Sequence, residues 1–321
     1  DSKKVSIMNL IWKKIFGRLT PTAKYEKQEL DFLASSEKNK SLRYSTALAE
    51  YKKLYLSSKF SSPETRKQQK LRLSELKKHP DVVFFLKNSS KRNRPNRDAH
   101  LTFSDDFYGK NPEKSAWNFG FYHENEKLLR DYSFHNEKQA NNGGHNTTLN
   151  DGILRIQTRR EVSKSLAWNP TIGFSEKQFT YTSDVVQTAK TFKQHGGIFK
   201  AKIRCSGPLH HAFWLGTEKQ QPHINIFHFN GKEIQMGFVN HNFGDGISIK
   251  GIDPSKYYIY TLEWTKDEMI WYINNLVVLR VNHDIPRESM FLVFNSFIPE
   301  TMTGGEGLLE VDWVRVYQYN Q

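Results

Sequence analysis

The chain has 321 residues, with 47 Lys and Arg against 34 Asp and Glu, a formal charge of +13 at neutral pH, and one cysteine. Such a length can bury a large core, as one big all-β domain or as two smaller ones. Cys205 alone excludes an internal disulfide framework and any metal site built on several thiolates, and no run approaches the ~18 apolar residues of a membrane span.

The charge is unevenly spread. Residues 1–100 hold 24 basic against 10 acidic side chains, a net of +14, while residues 101–321 hold 23 against 24, a net of −1. A basic first third reads as solvated helix faces, with a polyanion- or membrane-surface role as the alternative. It has no recognisable nucleic-acid-reading motif, so nucleic acid is not expected as a partner. The opening residues show no signal-peptide cleavage signature; export is expected nonetheless, with the leader absent from this sequence.

Residues 5–19, VSIMNLIWKKIFGRL, space Ile7, Met8, Leu10, Ile11, Ile15 and Phe16 as on a helix, among Lys13, Lys14 and Arg18. This predicts a basic amphipathic helix that packs on its own protein rather than on a membrane surface. TPTAKYEKQELDFLASS and SLRYSTALAEYKKLYLSS predict two more helices, with Leu30, Leu33, Leu48 and Leu54 as their buried sides. Ser62 before Pro63 is a cap-then-proline start, and Pro80 is expected to stop or kink that helix. Residues 87–98, KNSSKRNRPNRD, read as a linker. The first domain is thus a basic helical region of residues 1–100, expected to pack against the remainder of the chain.

From residue 101 the texture changes to short runs rich in β-branched and aromatic residues, set between Gly, Asn, Asp and Pro: LTFSDDF, GILRIQTRREV, FTYTSDVVQT, GGIFKAKIRC, HAFWLG, HINIFHF, EIQMGFV, YYIYTLEWT, MIWYINNLVVLRV, MFLVFNSF and LLEVDWVRVYQY. This is an all-β, antiparallel pattern long enough for a two-sheet sandwich. A hairpin turn is expected at INN, residues 273–275, because Asn tolerates positive φ.

Within residues 208–229, PLHHAFWLGTEKQQPHINIFHF, lie His210, His211, Trp214, His223, Asn225 and His228. Alternation from 223 to 229 puts His223, Asn225 and Phe227 on one strand face and Ile224 and Ile226 on the other.

FSDDF with Trp117, NTTLNDGILRIQTRRE, YTSDVVQTAKTFKQHGGIFKAKIR, HAFWLG, LEWTKDEMIWYINN, FLVFN and VDWVRVYQ together resemble, in this order, the landmarks of glycoside hydrolase family 16 over about residues 101–319. That family includes laminarinases, agarases, porphyranases and carrageenases. The resemblance implies a concanavalin-like β-jelly roll, here residues 101–321, whose concave sheet holds a polysaccharide. It also implies a catalytic strand of the pattern Glu-x-Asp-x-x-Glu, or a tighter form one residue shorter, with a Glu nucleophile, a tuning Asp and a Glu acid about 5 Å from the nucleophile. Laid on this chain, those positions are His223, Asn225 and His228, and the usual Trp-Pro ahead of them becomes His210 and His211. The nearest acids, Glu218 and Glu233, fall off the motif.

An imidazole does not replace a carboxylate nucleophile, since a glycosyl-imidazolium would be cationic. A decayed site that only binds a glycan is one reading. Asn240, His241 and Asn242 on the expected next strand make the set look rebuilt rather than lost. Rebuilt, it suits β-elimination from an acidic or modified polysaccharide, with Asn225 holding a uronate carboxyl, His228 or His223 as base, His211 nearby and a tyrosine as acid. A third reading is Zn²⁺ held by His223, His228 and His210 or His211. An odd spacing of five puts His223 and His228 on opposite faces of a regular strand, so both reach one cleft only across a bulge. No cofactor or metal is expected for the favoured chemistry.

Trp214 and Trp168 are candidate sugar platforms, with Arg159, Arg160, Asn240, His241 and His210 as further substrate contacts and Phe174 and Tyr181 as cleft lining. Trp264, Trp271 and Trp313 are expected in the core, and Trp117 in a structural role. Asp105, Asp106 and Asp312 make no compact Ca²⁺ loop.

Overall fold

The computed structural model describes residues 19–57, 62–89, 99–108, 116–122, 132–219, 221–240 and 243–319. Nearly all of the amphipathic stretch 5–19 and most of the linker 87–98 lie outside the described residues. The chain divides into two compact units, residues 1–26 with 103–316 and residues 27–102 with 317–321.

In the smaller unit, Leu42, Leu48, Tyr51, Leu73, Leu76 and Val82 form a core among the helices Thr22–Leu42, Thr46–Ser57, Pro63–Leu76 and Pro80–Ser89. Leu54 packs against it, but Leu30 is exposed, contrary to the pattern read from the sequence. Pro80 does not kink the preceding helix. That helix ends at Leu76, and Pro80 opens the next one, where its missing N–H would have had no helical partner anyway. The basic faces carry ion pairs, Lys38 to Asp81 at 2.7 Å and Arg72 to Glu50 at 2.8 Å.

The larger unit is all-β. A seven-stranded antiparallel sheet has the order Phe243–Ile249, Ile234–Asn240, His223–Asn230, His210–Gly216, Phe291–Phe297, Val185–Gln187, Asn118–Phe119. An eight-stranded sheet contains the path Leu276–Val281, Met269–Ile273, Tyr258–Trp264, Gly197–Ser206, Gly307–Tyr319, Ile153–Thr158, Thr147–Asn150. Each path joins a run of consecutive hairpin strands to neighbours from distant parts of the chain, as in a jelly roll.

Period-two alternation gives each sheet an apolar inner face. Phe213, Leu215, Ile224, Ile226 and Phe227 from the first sheet meet Phe199, Ile203, Tyr260, Leu262, Trp264 and Trp271 from the second. Burying each such side chain contributes about 1.5–3 kcal/mol. Trp117 joins this core and donates its indole N–H to Asp105 at 2.8 Å. Trp313 is buried but faces the other way: the alternation that points Val311 inward is broken before Val314, and Trp313 instead reaches Glu26 at 3.2 Å under the Arg315 guanidinium.

Asn274 takes φ 49° in the turn between Met269–Ile273 and Leu276–Val281, the left-handed conformation that Asn tolerates. Its amide bonds the Ile259 N–H and the Thr20 carbonyl, at 2.8 and 2.9 Å. Asp105, Asp106 and Asp312 are taken separately by Trp117, Arg315 and Lys202. Asp184, fully buried, ties a loop to the sheet: its carboxylate accepts from the N–H groups of Asn142, Gly144 and Asn146 and from the Thr147 hydroxyl, at 2.8–3.1 Å.

Candidate active site

A cleft with about 770 Å³ of open space lies on the outer face of the seven-stranded sheet. His223, Asn225 and His228 all line it, with Ala212, Trp214, Asn295, Phe297, Gln221, Phe121, Phe134 and Glu137. The bulge that the spacing demanded is present. Phe213 pairs with Phe227 and Trp214 with Asn225, leaving Ile226 as the extra residue, and the register on the other side shifts over the same stretch. Ile226 and Phe227 are consecutive and both buried, so the strand resumes with His228 on the same face as Asn225. From behind, Trp271 donates its indole N–H to the Asn225 carbonyl at 2.9 Å. Opposite Asn225 stands Gly237 at φ 151°, where a Cβ would lie 2.3 Å from the Asp245 carbonyl oxygen.

The polar side chains form two couples. Asn225 Oδ1 accepts from His223 Nε2 at 2.8 Å, which puts the proton on Nε2 and leaves the Asn225 NH₂ as a donor. The His223 ring stacks on Trp214 with centroids 4.4 Å apart, and the Trp214 indole N–H is held by Asn295 at 3.0 Å. Gly216 lies under that indole: a Cβ there would come within 2.3 Å of it. In the second couple, His228 Nε2 and His210 Nδ1 share a proton at 2.8 Å, both rings packed on Phe297.

All of these imidazoles are held neutral. Burial pushes His228 down to about 3, helped by the neighbouring histidines, and His210 down to about 4. Burial also lowers His223, against the opposing bond from Asn225. The base expected near its ordinary pKa is therefore a much weaker one. A bound anion would offset that desolvation.

His211 does not reach the cleft. Adjacent strand residues point to opposite faces, so His210 looks outward and His211 inward, where it is fully buried. The Ser206 carbonyl can only accept, so His211 Nε2 carries the proton at 3.0 Å and Nδ1 accepts from the Ser296 hydroxyl at 2.8 Å. Trp168 packs on Phe174 at 4.9 Å on a separate three-stranded sheet and does not line the cleft, although its register partner Phe134 does. Arg159 folds back toward Gln157 at 3.4 Å, and Arg160 and Tyr181 line another groove with Lys138 and Lys177. Asn240, at a strand end, donates to the Asp284 carbonyl at 3.1 Å, and His241 lies outside the described residues. Glu218 pairs with Lys193, and Glu233 lies 3.7 Å from Lys250; neither lines the cleft. Among the described residues, no group of three or more His, Cys, Asp or Glu side chains is placed to hold a metal ion.

Other lining residues have no counterpart among the sequence candidates. Asn295 and Phe297 could have been found by alternation along FLVFNSF. Glu137 could not: it lies between two very short strands, Ser133–Phe134 and Gln139–Asn141, with no periodicity to place it. Among the described residues it is nonetheless the one carboxyl that lines the cleft.

The paired sheets form a β-jelly roll with a glycoside hydrolase family 16-like fold. No protein-family model matches the chain. The chain is similar to the endo-1,3-1,4-beta-glycanase EglC of Rhizobium meliloti (strain 1021), at 27% identity over 192 residues, 53% of this chain and 39% of that protein. It spans about half or less of the length of the curated relatives it matches. Among solved structures, the laminarinase catalytic domain of Thermotoga maritima MSB8 aligns with a TM-score of 0.56 at 18% identity, over 70% of this chain and 100% of that one. The κ-carrageenase of Pseudoalteromonas carrageenovora aligns with a TM-score of 0.53 at 18% identity, over 71% of this chain and 98% of that one.

Proposed function

We propose that the protein degrades an acidic or modified polysaccharide by β-elimination in the open cleft. The observation that carries this reading is the convergence of His223, Asn225 and His228 on one cleft face across the bulge, with no acid on that strand. The Asn225 NH₂ donates to a uronate carboxyl and His228 or His223 takes the C5 proton. The anion itself supplies what these desolvated imidazoles lack, by raising their affinity for a proton. Relatives described as glycanases and a fold shared with laminarinases and a κ-carrageenase support a glycan ligand, and a polymer of that kind is met outside the cell.

A catalytically silent glycan-binding module is the second reading, favoured by the way the two couples already satisfy each other, His223 with Asn225 and His228 with His210. The two are separated by incubating the protein with uronate, sulfated and neutral polysaccharides. Ultraviolet absorbance of unsaturated uronate ends supports elimination. Reducing ends without that absorbance restore hydrolysis, and binding without either product leaves the module.

A further inference from the structure

We propose that Glu137 is the proton donor of this cleft, protonating the glycosidic oxygen as it leaves; the assignment rests on the degradative reading above. Elimination needs an acid as well as a base, and among the described residues that line the cleft there is no tyrosine to serve. The neutral histidines, with their low pKa values, carry no spare proton near neutrality. Glu137 does. It is 8% exposed and bridges to Pro299, just past the strand Phe291–Phe297, which His210–Gly216 separates from the motif strand.

Its surroundings fix the carboxyl firmly. Gln139 Nε2 donates to Glu137 Oε2 at 2.7 Å, and the same amide is anchored at its other end by accepting the Ile298 N–H at 2.7 Å. Lys177 Nζ holds the Glu137 main-chain carbonyl at 2.7 Å and also pairs with Glu300. Burial raises the acid to about 7, against the opposing pull of Gln139, the Phe134 N–H and Lys177. His223 and His228, on the same cleft, are neutral and add no charge. Near neutrality a large share of Glu137 is therefore the carboxylic acid.

The step balances. An imidazole takes the C5 proton, the electron pair left behind becomes the C4=C5 bond, and the C4–O bond breaks with its pair on oxygen. That oxygen takes the Glu137 proton. The Gln139 amide steadies the resulting carboxylate; the imidazolium then gives its proton to water and the carboxylate takes one from water, so both groups return to their starting forms.

Two measurements on the full chain test the assignment. Carbon NMR titration of wild type and Glu137→Gln is expected to show one carboxyl titrating near neutrality that the variant lacks; if every carboxyl titrates in the ordinary acidic range, no acid is held there and the assignment falls whether or not the protein is active. On a polysaccharide that wild type cleaves, Glu137→Gln is expected to lose at least about 100-fold in kcat, and the wild-type fall in kcat as pH rises through about 7 is expected to vanish. Wild-type rates in Glu137→Gln overturn the donor and leave the degradative reading standing. A chain that cleaves nothing while its carboxyl still titrates near neutrality sinks the degradative reading and the donor role with it, and the acid is then a structural feature.

Discussion

His211 was expected among the catalytic residues, and its position in the sandwich yields a quantitative test of a purely structural role. Its pKa is lowered by burial from 6.5 to about 4. A lowered histidine favours the neutral form in the folded state, so between those two values the unfolded chain binds the proton and the folded chain does not. Stability is then full above the unfolded pKa and declines as pH falls from about 6.5 toward 4, with no further change from this group below that. At about 1.4 kcal/mol per unit, the drop amounts to roughly 3 kcal/mol. Gln supplies an acceptor and a donor for Ser296 and Ser206 without titrating, so His211→Gln is the comparison. Urea denaturation of both proteins at several pH values in this range is the assay. The difference between them isolates His211, because His210, His223 and His228 are common to both. The wild type is expected to lose about 3 kcal/mol more than the variant on acidification. Parallel loss in the two proteins would refute the burial account. Glycan cleavage abolished in His211→Gln, with neutral-pH stability intact, would return His211 to the chemistry.

Three further outcomes are expected. His228→Gln and Asn225→Ala should each lower cleavage at least about 100-fold with the thermal midpoint nearly unchanged, since both side chains face the cleft; kinetics with a thermal melt decide it. Gly216→Ala should cost about 1–3 kcal/mol by driving a methyl into the Trp214 indole, and should weaken glycan binding measured by calorimetry because that indole is the stacking partner of His223. Asp184→Ala should cost about 3 kcal/mol or more in denaturant unfolding, because three N–H groups lose their acceptor.

The sandwich was legible because its signal is local: alternation and turn residues mark each strand, and HAFWLG, FLVFN and VDWVRVYQ have the order of a known jelly roll. His223, Asn225 and His228 were legible for the same reason, sitting on one strand at a spacing that named its own bulge. His211 was misread although the rule was at hand, since adjacent residues on a strand cannot share a face. Trp313 is buried as expected, but on the other face of its sheet, because the inward pattern of its long strand breaks between Val311 and Val314, which composition does not reveal. Glu137 was beyond reach. Its place in the cleft depends on Gln139, Ile298 and Pro299, contacts more than a hundred residues apart that no window of sequence contains.

The indole of Trp271 on the Asn225 carbonyl gives the bulge a second owner. The bend that delivers His228 to the cleft is gripped by a residue of the opposite sheet, whose side chain no glycan can touch. The cleft's geometry is therefore set through the thickness of the sandwich, and a core substitution that drops that N–H, such as Trp271→Phe, acts on the cleft face from the inside. Tuning of this site need not occur at the site, and the apolar interior counts among the determinants of what the cleft accepts.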